Sequence, residues 1–444
     1  MAALAIVSAL GVGAFRLALE LLPEYEGRVA EMVRKATGLR LTFDSLDARI
    51  GLHGPEIYFE GARIVDPQGD VLVTARAGRA SLSVLRSAWF RRLEIGRVIL
   101  ESPRLHLVIF PDRHVELVGQ AGFAATTAPR RPTGGLERVP RGVLEVRDAT
   151  LVFLDLRAGH TTWELTRANI EMRRQGGSIA LKGSVSLPKH LGQSVDFEAG
   201  VSGDLANPGS LDWRGKVEAR DVDFAGWADV LPENFTVPMA GRGSFRIAAR
   251  GSGKRFDRGR VALQLSDFEL PRSGRAVPVV YSRLAGELLV QRADDAWHVS
   301  GSKLEFSLPG SRWSPADLEA TVTLEQQRVS EVSVRTGYLK VENLLPLLAF
   351  APSTAARDRI AAIAPQGTLS GVDLKIIPKG PGQMPDVTGR AVIEDAGFSP
   401  VGRVPGVAGI DGSFEGRGET GILHLAADGV TVDWPHSWRE VIEL

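Results

Sequence analysis

Apolar and polar residues alternate with a period of two along most of the chain from Leu39 onward. Runs such as LRLTFDSLDARI (39–50), VLEVRDATLVFLDL (143–156) and RVALQLSDFEL (260–270) are separated by turn residues, mainly Gly, Pro and Asp. This spacing is typical of short β-strands joined by turns. The pattern therefore predicts a mainly β protein built on an elongated, twisted antiparallel β-sheet with few short helices.

Most of these strands have only one apolar face. In VALQLSDF (261–268), Val261, Leu263 and Leu265 point to one side of the strand and Gln264 points to the other. An apolar sheet face must be covered, but the candidate helices are short: 224–232, 343–350 and 356–364. Two arrangements stay open, closed β-sandwiches or a curved sheet whose apolar face forms a groove for lipid.

The groove hypothesis assigns a set of inward-facing apolar positions as its lining. Each position is equally compatible with the ordinary closed core of a sandwich. The predicted lining residues are Phe245, Ile247, Val261, Leu263, Leu265, Leu304, Phe306, Val322, Leu324, Val332, Val334, Leu374 and Ile376.

The N-terminus carries a different pattern. Residues 1–22 are almost entirely apolar, interrupted by Arg16, and are long enough to cross a bilayer as a helix. A cleavable signal peptide and a buried core helix are the alternatives. No basic residue precedes the apolar run, which suggests that a basic leader lies upstream. Residues 23–38 have helical spacing and predict a short amphipathic helix that ends at Gly38.

The remaining chain divides at shifts in composition. A flexible linker is predicted at 121–142, which is rich in Ala, Thr, Pro, Gly and Arg. A weak internal repeat relates GRVALQLSDF (259–268) to GRAVIEDAGF (389–398), each preceded by a strand and a short helix. The predicted segments are an N-terminal β region at 39–120, a groove segment at 143–240, a groove repeat at 241–364 and a second, truncated copy at 365–444.

Composition narrows the function classes. The chain of 444 residues has 53 basic and 53 acidic side chains, and this neutrality argues against nucleic acid as a partner. It contains no cysteine, which excludes disulfides, zinc–thiolate sites and thiol nucleophiles.

We find no catalytic, metal-binding or cofactor-binding constellation in the sequence. The eight histidines form no metal-binding motif, and GxSxG does not occur. Gly416, Gly418 and Gly421 spell GxGxxG but lead into an apparent strand, so a glycine-rich hairpin is favoured over a dinucleotide site. The sequence therefore predicts a protein that is not an enzyme and that needs no metal or cofactor.

Two stretches carry a resemblance to a known family. The first is LPEYEGRVAEMVRKATGLRLTFDSLDARIGLHGPEIYFEGARIVDPQG (22–69), and the second is GFSPVGRVPGVAGIDGSFEGRGETGILHLAADGVTVDWP (397–435). With the N-terminal apolar segment and the long β body, they resemble the YhdP-type members of the AsmA-like envelope proteins, which are relatives of TamB. The chain is shorter than is usual for that family, which suggests an N-terminal fragment.

The resemblance implies a single-pass protein of the bacterial inner membrane with its bulk in the periplasm. It would carry phospholipid along an apolar β-groove toward the outer membrane and support the permeability barrier. Its partners would be phospholipids, the inner membrane and other envelope proteins. The alternative is a structural or chaperone-like factor in outer-membrane protein assembly, which would use exposed strand edges.

Overall fold

The structure is a computed structural model that describes residues 40–443 with internal gaps. The gaps are 52–53, 66–68, 83–94, 111–114, 119–135, 137–140, 157–160, 228–239, 271–278, 326–327, 351–359, 380–385, 403, 418–419, 427–428 and 435–441. The predicted anchor (1–22), the amphipathic helix (23–38) and nearly all of the predicted linker (121–142) lie outside the described residues. Within the part described, no helix is both long and apolar enough to cross a membrane.

The chain forms two compact units, Met1–Gly215 and Lys216–Leu444. The described part of the first unit contains strands β1 (Arg40–Thr42), β2 (Ser45–Gly51), β3 (Gly54–Val65), β4 (Val71–Leu82), β5 (Ile95–Glu101), β6 (Arg104–Ile109), β7 (Val115–Val118), β8 (Gly142–Asp155), β9 (Thr161–Gln175), β10 (Ser178–Ser186) and β11 (Ser194–Ser202). A 3₁₀ turn follows at Pro208–Ser210.

Strands of the first unit pair mainly as antiparallel neighbours, with one departure from the prediction. Both β5 and β6 lie parallel to β8, with Val98 opposite Leu144 and Leu107 opposite Phe153. The sheet is therefore mixed. A parallel pair needs a long crossover connection, and the chain between β6 and β8 supplies one.

The second unit begins within β12 (Asp212–Asp223), which is followed by the short helix α1 (Phe224–Trp227). Its further strands are β13 (Ala240–Ser252), β14 (Arg255–Leu270), β15 (Val279–Ala293), β16 (Ala296–Ser307), β17 (Ala316–Glu325), β18 (Arg328–Lys340), β19 (Gln366–Ile377), β20 (Asp386–Phe398), β21 (Gly406–Arg417), β22 (Thr420–Ala426), β23 (Thr431–Asp433) and β24 (Ile442–Glu443). Helix α2 (Val341–Leu344) and a 3₁₀ helix (Leu345–Phe350) lie between β18 and β19.

From β13 to β21 each strand pairs antiparallel with the next one along the chain. The few described helices are short, as the sequence predicts. The predicted helix at 343–350 corresponds to α2 and the 3₁₀ helix, and α1 covers the start of the one predicted at 224–232.

Several long strands contain a bulge residue in the left-handed region. Asp148, Asp221 and Lys303 have φ values of 51°, 48° and 51°. A side chain caps the backbone N–H at each bulge: Asn169 Oδ1 at 3.1 Å from Asp148 N, Ser244 Oγ at 3.0 Å from Asp221 N, and Asp317 Oδ1 at 3.0 Å from Lys303 N. The next residue along the chain is buried and apolar in all three cases: Ala149, Val222 and Leu304. Without a bulge, one extra residue in a strand would turn every following side chain to the opposite face. Each bulge absorbs the extra residue, so the apolar side chains that follow it stay on the apolar face.

One bulge also requires a glycine on the neighbouring strand. Gly286 has a φ of +132°, and a Cβ there would lie 2.9 Å from the Leu304 Cα. Only a residue without a side chain allows the backbones to approach this closely at such a φ. The glycine content of the chain is therefore partly a consequence of the bulged sheet.

Candidate functional site

The strand register of the second unit assembles one continuous apolar row. Directly opposite residues on paired strands share a face, and the pairings can be followed from β13 to β20. The row consists of Ala249, Gly259, Val290, Val299, Ala320, Val334, Leu374 and Gly389. Neighbouring strands lie about 4.8 Å apart, so an eight-strand row is about 35 Å long.

The next row, one residue along each strand, is polar throughout and faces the other side of the sheet. It consists of Arg250, Arg258, Gln291, His298, Thr321, Ser333, Lys375 and Thr388. The sheet of the second unit is therefore amphipathic across its strands, with an apolar face and a polar face.

The structure places all thirteen predicted lining residues on the apolar face. Phe245 lies opposite Leu263, and Ile247 lies opposite Val261. Leu284 lies opposite both Leu265 and Phe306, and Leu304 precedes Phe306 by two residues on the same strand. Val332 lies opposite both Val322 and Ile376, and Leu324 follows Val322 by two residues. Val334 lies opposite Leu374. That these residues line a groove for lipid stays a prediction.

One end of the apolar face is closed. Leu265, Phe268, Leu270, Tyr281 and Leu284 form a buried cluster, here called the closed end. Side chains from the helices pack onto the cluster, Leu347 from the 3₁₀ helix and Phe224 from α1, whose ring lies 5.1 Å from that of Phe268. Predicted lining residues Leu265 and Leu304 are buried, so they belong to a packed core and not to an accessible surface.

A buried asparagine fixes the helical segment to the closed end. The Asn343 side chain is fully buried in α2 and donates hydrogen bonds from Nδ2 to the carbonyl oxygens of Phe306 (2.6 Å) and Ser311 (3.2 Å). Its Oδ1 accepts a hydrogen bond from the Ser311 hydroxyl at 2.8 Å. The Tyr281 hydroxyl donates to the Asn343 carbonyl at 2.8 Å, and burial raises the pKa of Tyr281 above its ordinary range.

The other end of the apolar face is open. Val261, Leu288, Val290 and Val334 are only half-buried, and Ile247 is 44% exposed. These residues and their register partners between β13 and β19 are called the open end below. Side chains of a closed core are usually buried almost completely, and the described residues do not bury these.

Sequence reasoning missed several residues of the open end. Leu288 and Val290 lie in the predicted strand GELLVQ, where Leu289 interrupts the alternation. Val299 and Trp297 lie in WHVSG, where a period-two reading would have found them. Register supplies the missing information, because it places Leu288 opposite Val261 and Val290 opposite Val299.

Ion pairs join neighbouring strands on the polar face. Arg246 binds Glu218 at 3.0 Å, Arg283 binds Glu305 at 2.8 Å, and Lys375 binds Glu331 at 2.7 Å. The hydrogen bond from Arg246 lowers the pKa of Glu218, and the one from Lys375 lowers the pKa of Glu331.

A cavity of about 620 Å³ is lined mainly by polar-face residues, including Arg246, Gln264, Glu287 and Glu305. Covering these charged side chains with acyl chains would remove them from water at a cost in free energy. The polar face is therefore the less suitable of the two faces for apolar ligands.

The described residues contain no group of His, Asp or Glu side chains that could hold a metal ion. The GxGxxG stretch forms a hairpin, as the sequence predicts: Gly416 of β21 lies opposite Gly421 of β22. The described residues on both sides of this stretch are strands, and they offer no helix N-terminus to receive a phosphate.

The first unit has an apolar row of its own. It consists of Ile57, Ala80, Val98, Leu144, Met172, Leu181 and Ala199 on seven strands from β3 to β11. Phe153 and Trp163 stack on the same sheet with ring centroids 4.2 Å apart. Both units thus contain a row of apolar side chains that stand in register across their strands.

Comparison with known proteins gives one match. No curated protein and no solved structure matches the chain. A family model described as YhdP protein matches residues 1–444, the full length of the sequence. The chain therefore belongs to the YhdP family.

Proposed function

We propose that this protein carries phospholipid along the apolar face of its sheet, from the bacterial inner membrane toward the outer membrane, and so supports the envelope permeability barrier. Residues 1–22 would anchor it in the inner membrane and the β units would lie in the periplasm. The observation that carries the proposal is the open end, where an apolar row about 35 Å long stays half-exposed.

The physical case rests on the cost of moving acyl chains through water. Each CH₂ group that leaves an apolar environment loses about 0.8 kcal/mol. A continuous apolar surface removes most of that barrier without a chemical step. The headgroup can remain in solvent at the margin of the sheet, so the transfer needs no catalytic residue, metal or cofactor in this chain.

Site-specific photo-crosslinking tests the proposal. A photo-reactive amino acid replaces Ile247, which is exposed on the apolar face, and in a matched variant it replaces Gln264, which is exposed on the polar face. We expect phospholipid adducts by mass spectrometry at position 247 and none at 264. Equal labelling, or no lipid at either position, would contradict a lipid-carrying apolar face.

A second function has one observation in its favour. Strand β22 pairs with β21 and is exposed along its whole length, with Ile422, Leu423 and Leu425 each more than half exposed. An apolar, uncharged strand of this kind can pair with a strand of another protein. Assembly of outer-membrane proteins is therefore the second candidate. Protein adducts at Ile422 in place of lipid adducts at Ile247 would favour it.

A further inference from the structure

An arginine lies at the margin of the open end on the apolar side of the sheet, in the strand that leads into the Asp294–Asp295 turn. Arg292 of β15 lies opposite Trp297 of β16, one step beyond the opposite pair Val290 and Val299. Since register is unbroken between these pairs, Arg292 and Trp297 share the face of the two valines. The guanidinium carbon lies 5.8 Å from the centre of the Trp297 ring.

Aromatic rings define this margin. The ring of Phe256, from β14, stacks beside Trp297 with centroids 5.8 Å apart, and both side chains are half-buried. Indole combines a broad apolar surface with a polar N–H, which suits the boundary between hydrocarbon and water. Arg292 is therefore an exposed cation at the boundary of an apolar surface.

The environment of Arg292 differs from that of two arginines on the polar face, Arg246 and Arg283. Arg246 and Arg283 each bind a carboxylate within 3.0 Å. Among the described contacts Arg292 has no ion pair, and its Nε donates only to the Asp294 carbonyl oxygen, at 3.4 Å. The carboxylate of Asp257, on the neighbouring strand β14, is bound by Arg255 at 2.8 Å.

We propose that Arg292 binds the phosphate of a phospholipid whose acyl chains lie on the open end, with Trp297 and Phe256 packed against the glycerol region. Guanidinium groups bind phosphate through paired hydrogen bonds that are stronger than neutral ones. An apolar surface with a guanidinium group at its margin complements an amphipathic ligand with an anionic head. The inference rests on the proposed function and adds that the site selects lipids by their phosphate group.

The test compares two lipids with identical acyl chains, phosphatidylglycerol and diacylglycerol, of which only the first has a phosphate. The full chain carries the photo-reactive residue at Ile247, and adducts of both lipids are counted by mass spectrometry. We expect the unmodified site to prefer phosphatidylglycerol, and Arg292→Gln to reduce that preference by about tenfold, as loss of one charge-assisted pair predicts.

Arg260→Gln is the matched control, because Arg260 is exposed on the polar face of β14 and its loss changes the net charge equally. The control should keep the preference for phosphatidylglycerol. Lipid adducts with an unchanged preference in Arg292→Gln would overturn the phosphate site and leave the proposed function standing. Absence of any lipid adduct would overturn both.

Adding inorganic phosphate in tenfold excess over the lipid distinguishes binding of the lipid from binding of a free phosphate ion. The adducts should persist, because the acyl chains contribute most of the binding free energy. Loss of adducts in its presence would mean that the acyl chains contribute little to binding, which would overturn the inference.

Discussion

The two ends of the apolar face in the second unit share strands β14 and β15, yet they differ in burial. At the closed end Leu265, Tyr281 and Leu284 are buried beneath helical residues. At the open end, Val290 and Val334 lie on the same face and remain half-buried. Strand pattern alone therefore decides which side chains face inward, and the connections between strands decide which of them are covered.

The difference assigns a separate role to each end. The closed end holds a dense apolar cluster and the three hydrogen bonds of the Asn343 side chain, features that stabilise a fold. The open end keeps apolar area in contact with water, and exposed apolar patches of this kind typically mark interaction surfaces. Substitutions at the two ends should therefore separate stability from lipid binding.

The largest effect should come from Asn343→Leu at the closed end. Leucine leaves the carbonyls of Phe306 and Ser311 and the Ser311 hydroxyl without their buried partner. Each such loss costs about 1–3 kcal/mol, so we expect the free energy of unfolding to fall by about 4 kcal/mol. Urea unfolding followed by circular dichroism measures it.

Ser311→Ala is the control for that substitution, because it removes only the hydroxyl that donates to Asn343 Oδ1. It should cost about 1 kcal/mol. If Asn343→Leu were no more damaging than Ser311→Ala, the asparagine would not be the residue that fixes α2 to the sheet.

A matched pair of leucines compares the two ends directly. Leu265→Ala at the closed end removes a buried side chain and should destabilise the protein by about 3 kcal/mol. Leu288→Ala on the next strand removes a half-buried side chain at the open end and should cost about 1 kcal/mol. Thermal unfolding of both variants measures the difference, and equal losses would mean that the open end is a closed core.

Much of this arrangement is predictable from the sequence. Side-chain alternation depends only on the period of an extended strand, so Phe245, Val261, Val334 and Leu374 fall on the predicted face. Leu304 and Phe306 both follow the bulge at Lys303, so that bulge does not separate these two predicted lining residues.

Features that depend on distant contacts were not predictable. The parallel pairing of β5 and β6 with β8 requires a crossover whose path leaves no periodic signal. In the sequence Asn343 looks like an ordinary polar residue, because its hydrogen-bond partners Phe306 and Ser311 are distant along the chain and approach it only in the folded protein. The position of Arg292 beside Trp297 likewise follows from the register of β15 and β16 and not from either residue alone.

The smallest effect concerns the polar face and acid. Because the hydrogen bond from Arg246 lowers the pKa of Glu218 in the folded state, the pair contributes stability above the unfolded pKa, near pH 4. That contribution is lost as pH falls through the lower folded pKa. Glu218→Gln should therefore weaken the protein slightly at neutral pH and flatten its loss of stability in acid, measured as Tm between pH 3 and 6. Glu325→Gln, at an exposed residue with no ion pair among the described contacts, should retain the steeper acid loss of the unmodified protein. Parallel curves of Tm against pH for the two variants would mean that the cross-strand ion pairs of the polar face do not stabilise the protein. The closed end of the apolar face would then be the main source of stability in this unit.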